Sequence, residues 1–264
     1  MIGGYIMRRK YFFFDVDGTL TCGTHDRRIV PETFEALDRL RENGHFVCIA
    51  TGRALSMAKF AMQQTGITNM VCDGGNGICL DGELVSISPM DRDKCLTLLD
   101  ELEKKDLPYA VVEGDSLDYY AKDDRFMTCE GSTEGDMKGH IDPNFDYHTV
   151  QNFHKIFVAL REEEEHLLEN INILPFMRYH PAAFVFEPAD KFAGIEKMIE
   201  HIGGNIEDVV VFGDGKNDMD MFLKAPMSIA MGNAIEPLKE IATYVTGPSN
   251  SDGIKQACIH FGWI

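Results

Sequence analysis

The chain has 264 residues, 44% of them hydrophobic, which suits a packed globular protein of one large or two modest domains. Its formal net charge of −18 argues against a nucleic-acid surface, which needs clustered Lys and Arg, and leaves local positive groups to draw in any anionic ligand. No apolar run reaches membrane-spanning length. Seven cysteines, mostly inside apolar runs (Cys48, Cys72, Cys258), form no C-x-x-C pair and read as reduced thiols of a cytoplasmic protein. Met1 to Lys10 places its apolar residues before Arg8-Arg9-Lys10, the reverse of a signal peptide's order, and is expected to be a loose extension.

Phe12-Phe13-Phe14 reads as a buried strand that stops abruptly at Asp15-Val16-Asp17-Gly18-Thr19-Leu20. After a polar loop, Pro31 opens a helix carrying Phe34, Leu37 and Leu40, stopped near Gly44. Phe46 to Ala50 is a second strand, Arg53 to Gln64 a helix, and Met70 to Cys72 a short strand. These βα alternations predict a parallel sheet covered by helices. Asp73-Gly74-Gly75-Asn76-Gly77 then reads as a flexible joint, and Ile78 to Ile87 as a hairpin around Asp81-Gly82. Asp91 caps a helix with Leu96, Leu99 and Leu102 on one face. Strands are expected at Tyr109–Val112, Leu117–Ala121, Lys155–Leu160, Ile171–Tyr179 and Ala182–Glu187; Thr128 to Asn144 has no clear pattern. The acidic run Glu162–Glu165 reads as the first turn of a helix continuing to Glu169. This middle section is α+β, set inside an α/β frame. The frame returns with a helix from Lys191 to Gly203, a strand at Val209–Phe212 and a short helix at Asn217–Lys224. Strands at Met227–Ala230 and Tyr244–Thr246 and a helix at Gly253–His260 complete it.

The chemistry-bearing residues sit where strands end. Asp15 and Asp17, two apart, face one way if strand geometry continues. Crowded carboxylates repel unless one is protonated or a cation lies between them, and a hard ion such as Mg²⁺ would resolve the conflict. A solvated strand-end turn is the plainer alternative. Thr51 and Gly52 stand where the second strand meets a helix, an anion site or an ordinary N-cap. Lys191 begins a helix, where a cation opposes the helix dipole; it is a surface lysine or a charge kept for function. Val209–Phe212 runs into Gly213-Asp214-Gly215-Lys216-Asn217-Asp218. No EF-hand spacing, H-x-x-x-H pair, P-loop or dinucleotide fingerprint is present.

Taken in this order, the four pieces at Asp15, Thr51, Lys191 and Asp214 resemble the haloacid dehalogenase superfamily of phosphatases and phosphotransferases. Ala230-Met231-Gly232-Asn233-Ala234 and Ser251-Asp252-Gly253-Ile254 resemble its Cof-type branch of sugar-phosphate phosphatases. The resemblance implies a Rossmann-like α/β core of residues 1–83 and 187–264, and a large (C2-type) α+β cap at 84–186. It implies that Asp15 is the nucleophile and Asp17 the general acid and base. It implies Mg²⁺ bridging Asp15, the Asp17 carbonyl and Asp214, with Asp218 binding a metal water or orienting Lys191. Thr51, Gly52, Lys191 and Asn217 would hold the phosphate, with Lys191 reaching Asp15 or Asn217 reaching Lys191 as further options. Arg53 reaches the substrate or cap, or pairs with a carboxylate. The cap would choose the substrate, through loops such as Glu113–Tyr120 or Arg178–His180 unless these are core or surface, and would hinge at Asp73–Gly77 and Glu187–Asp190. The expected partner is a small phosphorylated metabolite, with no nucleic acid or membrane; the sequence fixes no oligomeric state. Phosphomannomutases share the Asp15–Thr21 pattern and an α+β cap, so hexose-phosphate phosphotransfer is the nearest alternative. A non-catalytic phosphometabolite-binding protein is the other.

Overall fold

The computed structural model describes residues 8–23, 26–132 and 137–264. The expected loose extension lies outside the described residues as far as residue 7. Its last part is tied down, because Arg8 and Lys10 both bond to the buried Asp208 carboxylate, at 2.7 and 2.8 Å. The chain divides into two compact units. One runs to Gly52 and takes in Ala58–Ser86 and Asp190–Ile264; the other comprises Arg53–Met57 and Ile87–Ala189.

The first unit opens with β1 (Tyr11–Phe14), α1 (Pro31–Glu42) and β2 (Phe46–Ala50). Every residue of both strands is buried, as expected of strands covered on both faces. α2 spans Leu55–Thr65, so it starts later than the sequence pattern suggested. Thr51 does not turn into a helix; it continues the sheet, donating its N–H to Val71 O (2.9 Å) and accepting from Gly74 N–H (3.2 Å). β3 (Met70–Cys72) leads through a turn at Asp73–Gly75 into the expected hairpin, β4 (Gly77–Leu80) and β5 (Glu83–Ile87). Asp73–Gly75, expected as a joint, is closely packed. All three residues are buried, and a Cβ on Gly75 (φ +106) would lie 1.9 Å from Asp190 O. Its glycines permit left-handed backbone and close packing.

The second unit contains α3 (Arg92–Lys104), β6 (Tyr109–Glu113), β7 (Asp118–Ala121) and α4 (Arg125–Thr128). β8 (Lys138–Ile141), β9 (Phe153–Ala159), β10 (Phe176–His180) and β11 (Ala183–Phe186) follow. The sheet order is β10-β11-β9-β6-β7-β8, antiparallel except for β7 beside β8. Alternation divides its side chains: Val111, Ile156, Val158, Phe184 and Phe186 enter one apolar cluster with Leu98, Leu99 and Leu102 of α3. Ala110, Val112, Phe157 and Val185 enter another with Phe126 of α4. Asp91 caps α3 by accepting Lys94 N–H at 3.2 Å, as its position suggested. The run of glutamates does not start an α-helix; Glu162–Leu167 is a short 3-10 segment. Leu168 is pulled into the first cluster, and Glu169 N–H is taken by the Glu101 carboxylate at 2.6 Å, so the chain leaves helical geometry there.

The chain returns to the first unit with α5 (Lys191–His201), β12 (Val209–Gly213), α6 (Met219–Lys224) and β13 (Met227–Ala230). α7 (Glu236–Ile241), β14 (Tyr244–Val245) and α8 (Gly253–His260) complete it. The strand order is β14-β13-β12-β1-β2-β3-β4-β5, with each neighbouring pair from β14 to β3 parallel. Phe13 packs with Ile195, Met198 and Met221 of α5 and α6. Phe12 points the other way, its ring 4.9 Å from that of Trp263. Each of Phe12, Phe13 and Phe14 is fully buried, which contributes roughly 2–3 kcal/mol apiece. Successive strands run outward from β1 in opposite directions, so β1 and β12 flank the point where the order reverses. Open α/β sheets bind ligands there, outside the carboxyl ends of the strands.

Candidate active site

Asp15 follows β1, and Gly213 ends β12 one strand away. The register pairs Phe14 with Phe212, and Asp15 extends it by donating its N–H to Phe212 O at 3.0 Å. The chain then leaves strand geometry. Asp17 has φ −79° and ψ 109°, and Gly18 turns with φ +82°. Asp17 thus lies in the wound turn Val16–Leu20 beyond β1, where strand alternation does not reach. Gly18 is needed on two counts: an L side chain resists that φ, and a Cβ would lie 2.1 Å from Asp214 Oδ2. Phe14 also pairs with Ile49 of β2, so Thr51, buried, emerges at the same sheet end with Gly52 beyond it.

Lys191 is the first residue of α5, and its side chain is buried to 1% exposure. Its Nζ donates to Asp15 Oδ1 at 2.6 Å and to Asp218 Oδ1 at 2.7 Å. Asp218 Oδ2 accepts the N–H groups of Asp214 (2.9 Å) and Gly215 (3.0 Å). Both oxygens of Asp218 are thus engaged by the protein, which makes it a brace for Lys191 and for the Asp214 turn. Carboxylate oxygens of Asp15, Asp214 and Asp218 lie within 4.8 Å of one another.

One ammonium facing three carboxylates leaves negative charge in excess. Burial, and then the charge of Asp218, push Asp15 well above the usual carboxylate range, although Lys191 pulls the other way. Burial and Asp218 likewise push Asp214 up to about 7, with Asp17 adding to the effect and the Thr19 hydroxyl opposing it. Burial alone would lower Lys191, but Asp15 and Asp218 more than offset it and raise its affinity for the proton. The donor set is all oxygen and carries surplus negative charge, which fits a hard divalent cation such as Mg²⁺.

The remaining residues separate. Asp17 is half-buried and near enough for its charge to raise Asp214. Asn217 is exposed on the turn Lys216–Asp218; Lys191 bonds to Asp15 and Asp218 and not to Asn217. Arg53 falls in the other compact unit. Thr19 and Asn233 also contribute. Thr19 Oγ1 donates to Asp214 Oδ1 at 3.3 Å. Asn233 Nδ2 donates to Gly18 O (2.8 Å) and to Asp214 Oδ2 (3.3 Å), while its Oδ1 accepts Ser249 N–H (2.8 Å). Asn233 lies in the Ala230–Ala234 run, the signal by which it was legible, but only the fold shows that it joins the Asp15 and Asp214 loops.

A family model of haloacid dehalogenase-like hydrolases matches residues 12–258. YkrA of Bacillus subtilis, whose name describes a phosphatase, is 29% identical over 259 residues, covering 97% of this chain and 99% of that protein. A crystal structure of a hypothetical protein from Geobacillus kaustophilus HTA426 superposes with a TM-score of 0.81 at 30% identity, covering 97% of this chain and 100% of that one. The subclass IIB sugar phosphatase BT4131 superposes with a TM-score of 0.77 at 30% identity, with the same coverage. With the reversal point of the sheet occupied by this group of aspartates and one lysine, the chain belongs to the haloacid dehalogenase-like hydrolases and is a phosphatase of their Cof-type branch.

Proposed function

We propose that this phosphatase hydrolyses phosphate monoesters of small metabolites, sugar phosphates foremost, with Mg²⁺ and through a covalent phosphate on Asp15. The observation that carries the reading is the buried contact of Lys191 Nζ with Asp15 Oδ1 at 2.6 Å. It fixes one oxygen of Asp15 and leaves Oδ2 as the nucleophile. A phosphate monoester is anionic and repels nucleophiles, so its charge must be neutralised and its phosphorus held in line with Oδ2. The Thr51 hydroxyl, the Gly52 N–H and Asn217 are assigned to the phosphoryl oxygens. Mg²⁺, held by Asp15, Asp214 and the Asp17 carbonyl when bound, would screen nucleophile from phosphate and stabilise equatorial charge.

Asp15 Oδ2 attacks phosphorus, the bond from phosphorus to the ester oxygen breaks, and protonated Asp17 gives its proton to the departing alkoxide. Asp17, now a carboxylate, takes a proton from water. That water attacks phosphorus, the bond from phosphorus to Asp15 breaks, and inorganic phosphate leaves. Lys191 stabilises Asp15 as a carboxylate before and after, and Asp218 keeps the ammonium in place. These groups grip only the phosphoryl end, so the sugar-phosphate assignment rests on likeness to the sugar phosphatase above. The seven cysteines, scattered and with no C-x-x-C pair, support a reducing, cytoplasmic setting. Among the described residues no helix is long and apolar enough to cross a membrane.

The test is phosphate release from a panel of sugar, nucleotide and polyol phosphates, with Mg²⁺ and with excess chelator. Turnover led by sugar phosphates and stopped by the chelator is expected, with Ca²⁺ a poor substitute because it takes more ligands at longer distances. Undiminished turnover in chelator, or no preference for sugar phosphates, would overturn the reading.

A further inference from the structure

Lys191 is held at its ammonium by Asp15 and Asp218, but a side chain is placed only as well as its backbone. The backbone around Lys191 is gripped from several sides. Asp190 N–H donates to Gly74 O at 2.9 Å. The Asp190 carboxylate caps α5 by accepting Ala193 N–H at 2.9 Å. The next amide, Phe192 N–H, is taken by Asp220 Oδ2 at 3.1 Å, from α6. Asp220 stands two residues after Asp218, so one short segment holds Lys191 at both ends, Asp218 on the ammonium and Asp220 on the peptide that follows its Cα.

We propose that Asp220 is a positioning residue for the phosphoryl-transfer step, setting the reach of Lys191 to Asp15 by tethering the first turn of α5 to the Asp214–Asp218 loop. This rests on the catalytic role proposed above for the Lys191–Asp15 pair. Two carboxylates at the start of α5 also offset the unfavourable placement of a cation at a helix N-terminus. Gly194 lets the helix sit close, since a Cβ there would meet Gly75 backbone at 2.7 Å. The first turn is therefore seated on a buried, closely packed turn, and the Asp220 bond links it to the carboxylate cluster. Lys224 pairs with Asp190 at 3.0 Å and lies 3.9 Å from Asp220 Oδ2 on the exposed side, but it touches none of these amides, so its removal keeps every tethering bond. It serves as the control.

Asp220→Ala should lower kcat for para-nitrophenyl phosphate about tenfold or more with KM changed about twofold or less, because a small misplacement of a reacting group costs rate rather than binding. Asp220→Asn keeps an oxygen that accepts Phe192 N–H and should recover kcat to within about threefold of wild type. Lys224→Ala should stay within about twofold, as an exposed pair contributes little. A second readout does not depend on turnover: the ¹⁵Nζ resonance of Lys191, shielded in the buried ion pair, should shift or broaden in Asp220→Ala and stay put in Asp220→Asn and Lys224→Ala. Should Asp220→Ala fail to fold, Asp220→Asn still decides, since a loss of kcat with the amide oxygen retained contradicts the tether. Wild-type kcat and an unmoved Lys191 signal in Asp220→Ala would overturn the proposal. A wild-type enzyme without turnover, but with the Lys191 signal responding to Asp220, would overturn the catalytic reading and leave the tether standing.

Discussion

Glu101 is a buried carboxylate in the second unit whose removal should expose a pH-dependent part of that unit's stability. It sits on α3 and stitches the helix to the segment after the 3-10 turn. Its oxygens accept Lys105 Nζ at 2.8 Å, Glu169 N–H at 2.6 Å, Asn170 N–H at 3.0 Å and Asn170 Nδ2 at 2.8 Å. Burial opposes its charge, but Lys105 and the Glu169 and Asn170 donors prevail and hold its pKa at about 2 instead of the ordinary 4.5. At about 1.4 kcal/mol for each tenfold change in proton affinity, that difference is worth about 3 kcal/mol. Because the folded pKa is the lower one, the contribution is complete above the unfolded value and is lost as pH falls through the folded value. Glu101→Gln keeps one accepting oxygen but turns an amide N–H toward the donors of the other, so those bonds and the charge are lost. The gap between wild type and Glu101→Gln should be about 3 kcal/mol at about pH 6 and shrink to about 1 kcal/mol at about pH 3. Urea-dependent hydrogen exchange at the β9 amides, which open with this unit, measures it at both pH values. A gap below about 1 kcal/mol at about pH 6, or one equal at both pH values, would refute the reasoning.

Gly18→Ala combines a left-handed φ of +82° with a Cβ 2.1 Å from Asp214 Oδ2. Its turnover should fall about a hundredfold while strain costs about 1–2 kcal/mol; a variant keeping a tenth of the wild-type rate would contradict the placement of Asp214. Lys191→Met strands two buried carboxylates and should cost about 3–5 kcal/mol of stability at neutral pH as well as all measurable turnover, read by denaturant titration and phosphate release. An unchanged midpoint would show that the ion triad contributes nothing. Asp17→Asn should slow phosphoryl transfer far more for poor leaving groups than for acidic phenols, in single-turnover kinetics; equal slowing would remove the proton from Asp17.

The layered core was legible because its signals are local. Phe12–Phe14 and Val209–Phe212 announce buried strands, Pro31 and Asp91 mark helix starts, and Asp81-Gly82 marks a hairpin with positive φ at both residues. Turns that depend on distant partners were not. Asp73–Gly75 looked mobile by composition, yet its glycines serve contact with Asp190, more than a hundred residues on. The glutamate run looked helical until Glu101 claimed the next amide. α7, six residues long, carries too few positions for a period to show. At the site, Asp15, Lys191, Asp214 and Asp218 stand beside turn and strand signals that single them out. Asn233 and Asp220 act through one or two hydrogen bonds to backbone far away in sequence, and no spacing rule carries that information.

In the proposed mechanism Asp15 carries the phosphoryl group. The direct measurement is acid-quench of the enzyme during turnover of a ³²P-labelled sugar phosphate, followed by peptide mapping of the trapped acyl phosphate. Label is expected on the peptide containing Asp15, released by hydroxylamine and absent from Asp15→Asn, which should show no multiple turnover. Label on another residue, or sustained turnover by a clean Asp15→Asn preparation, would contradict it.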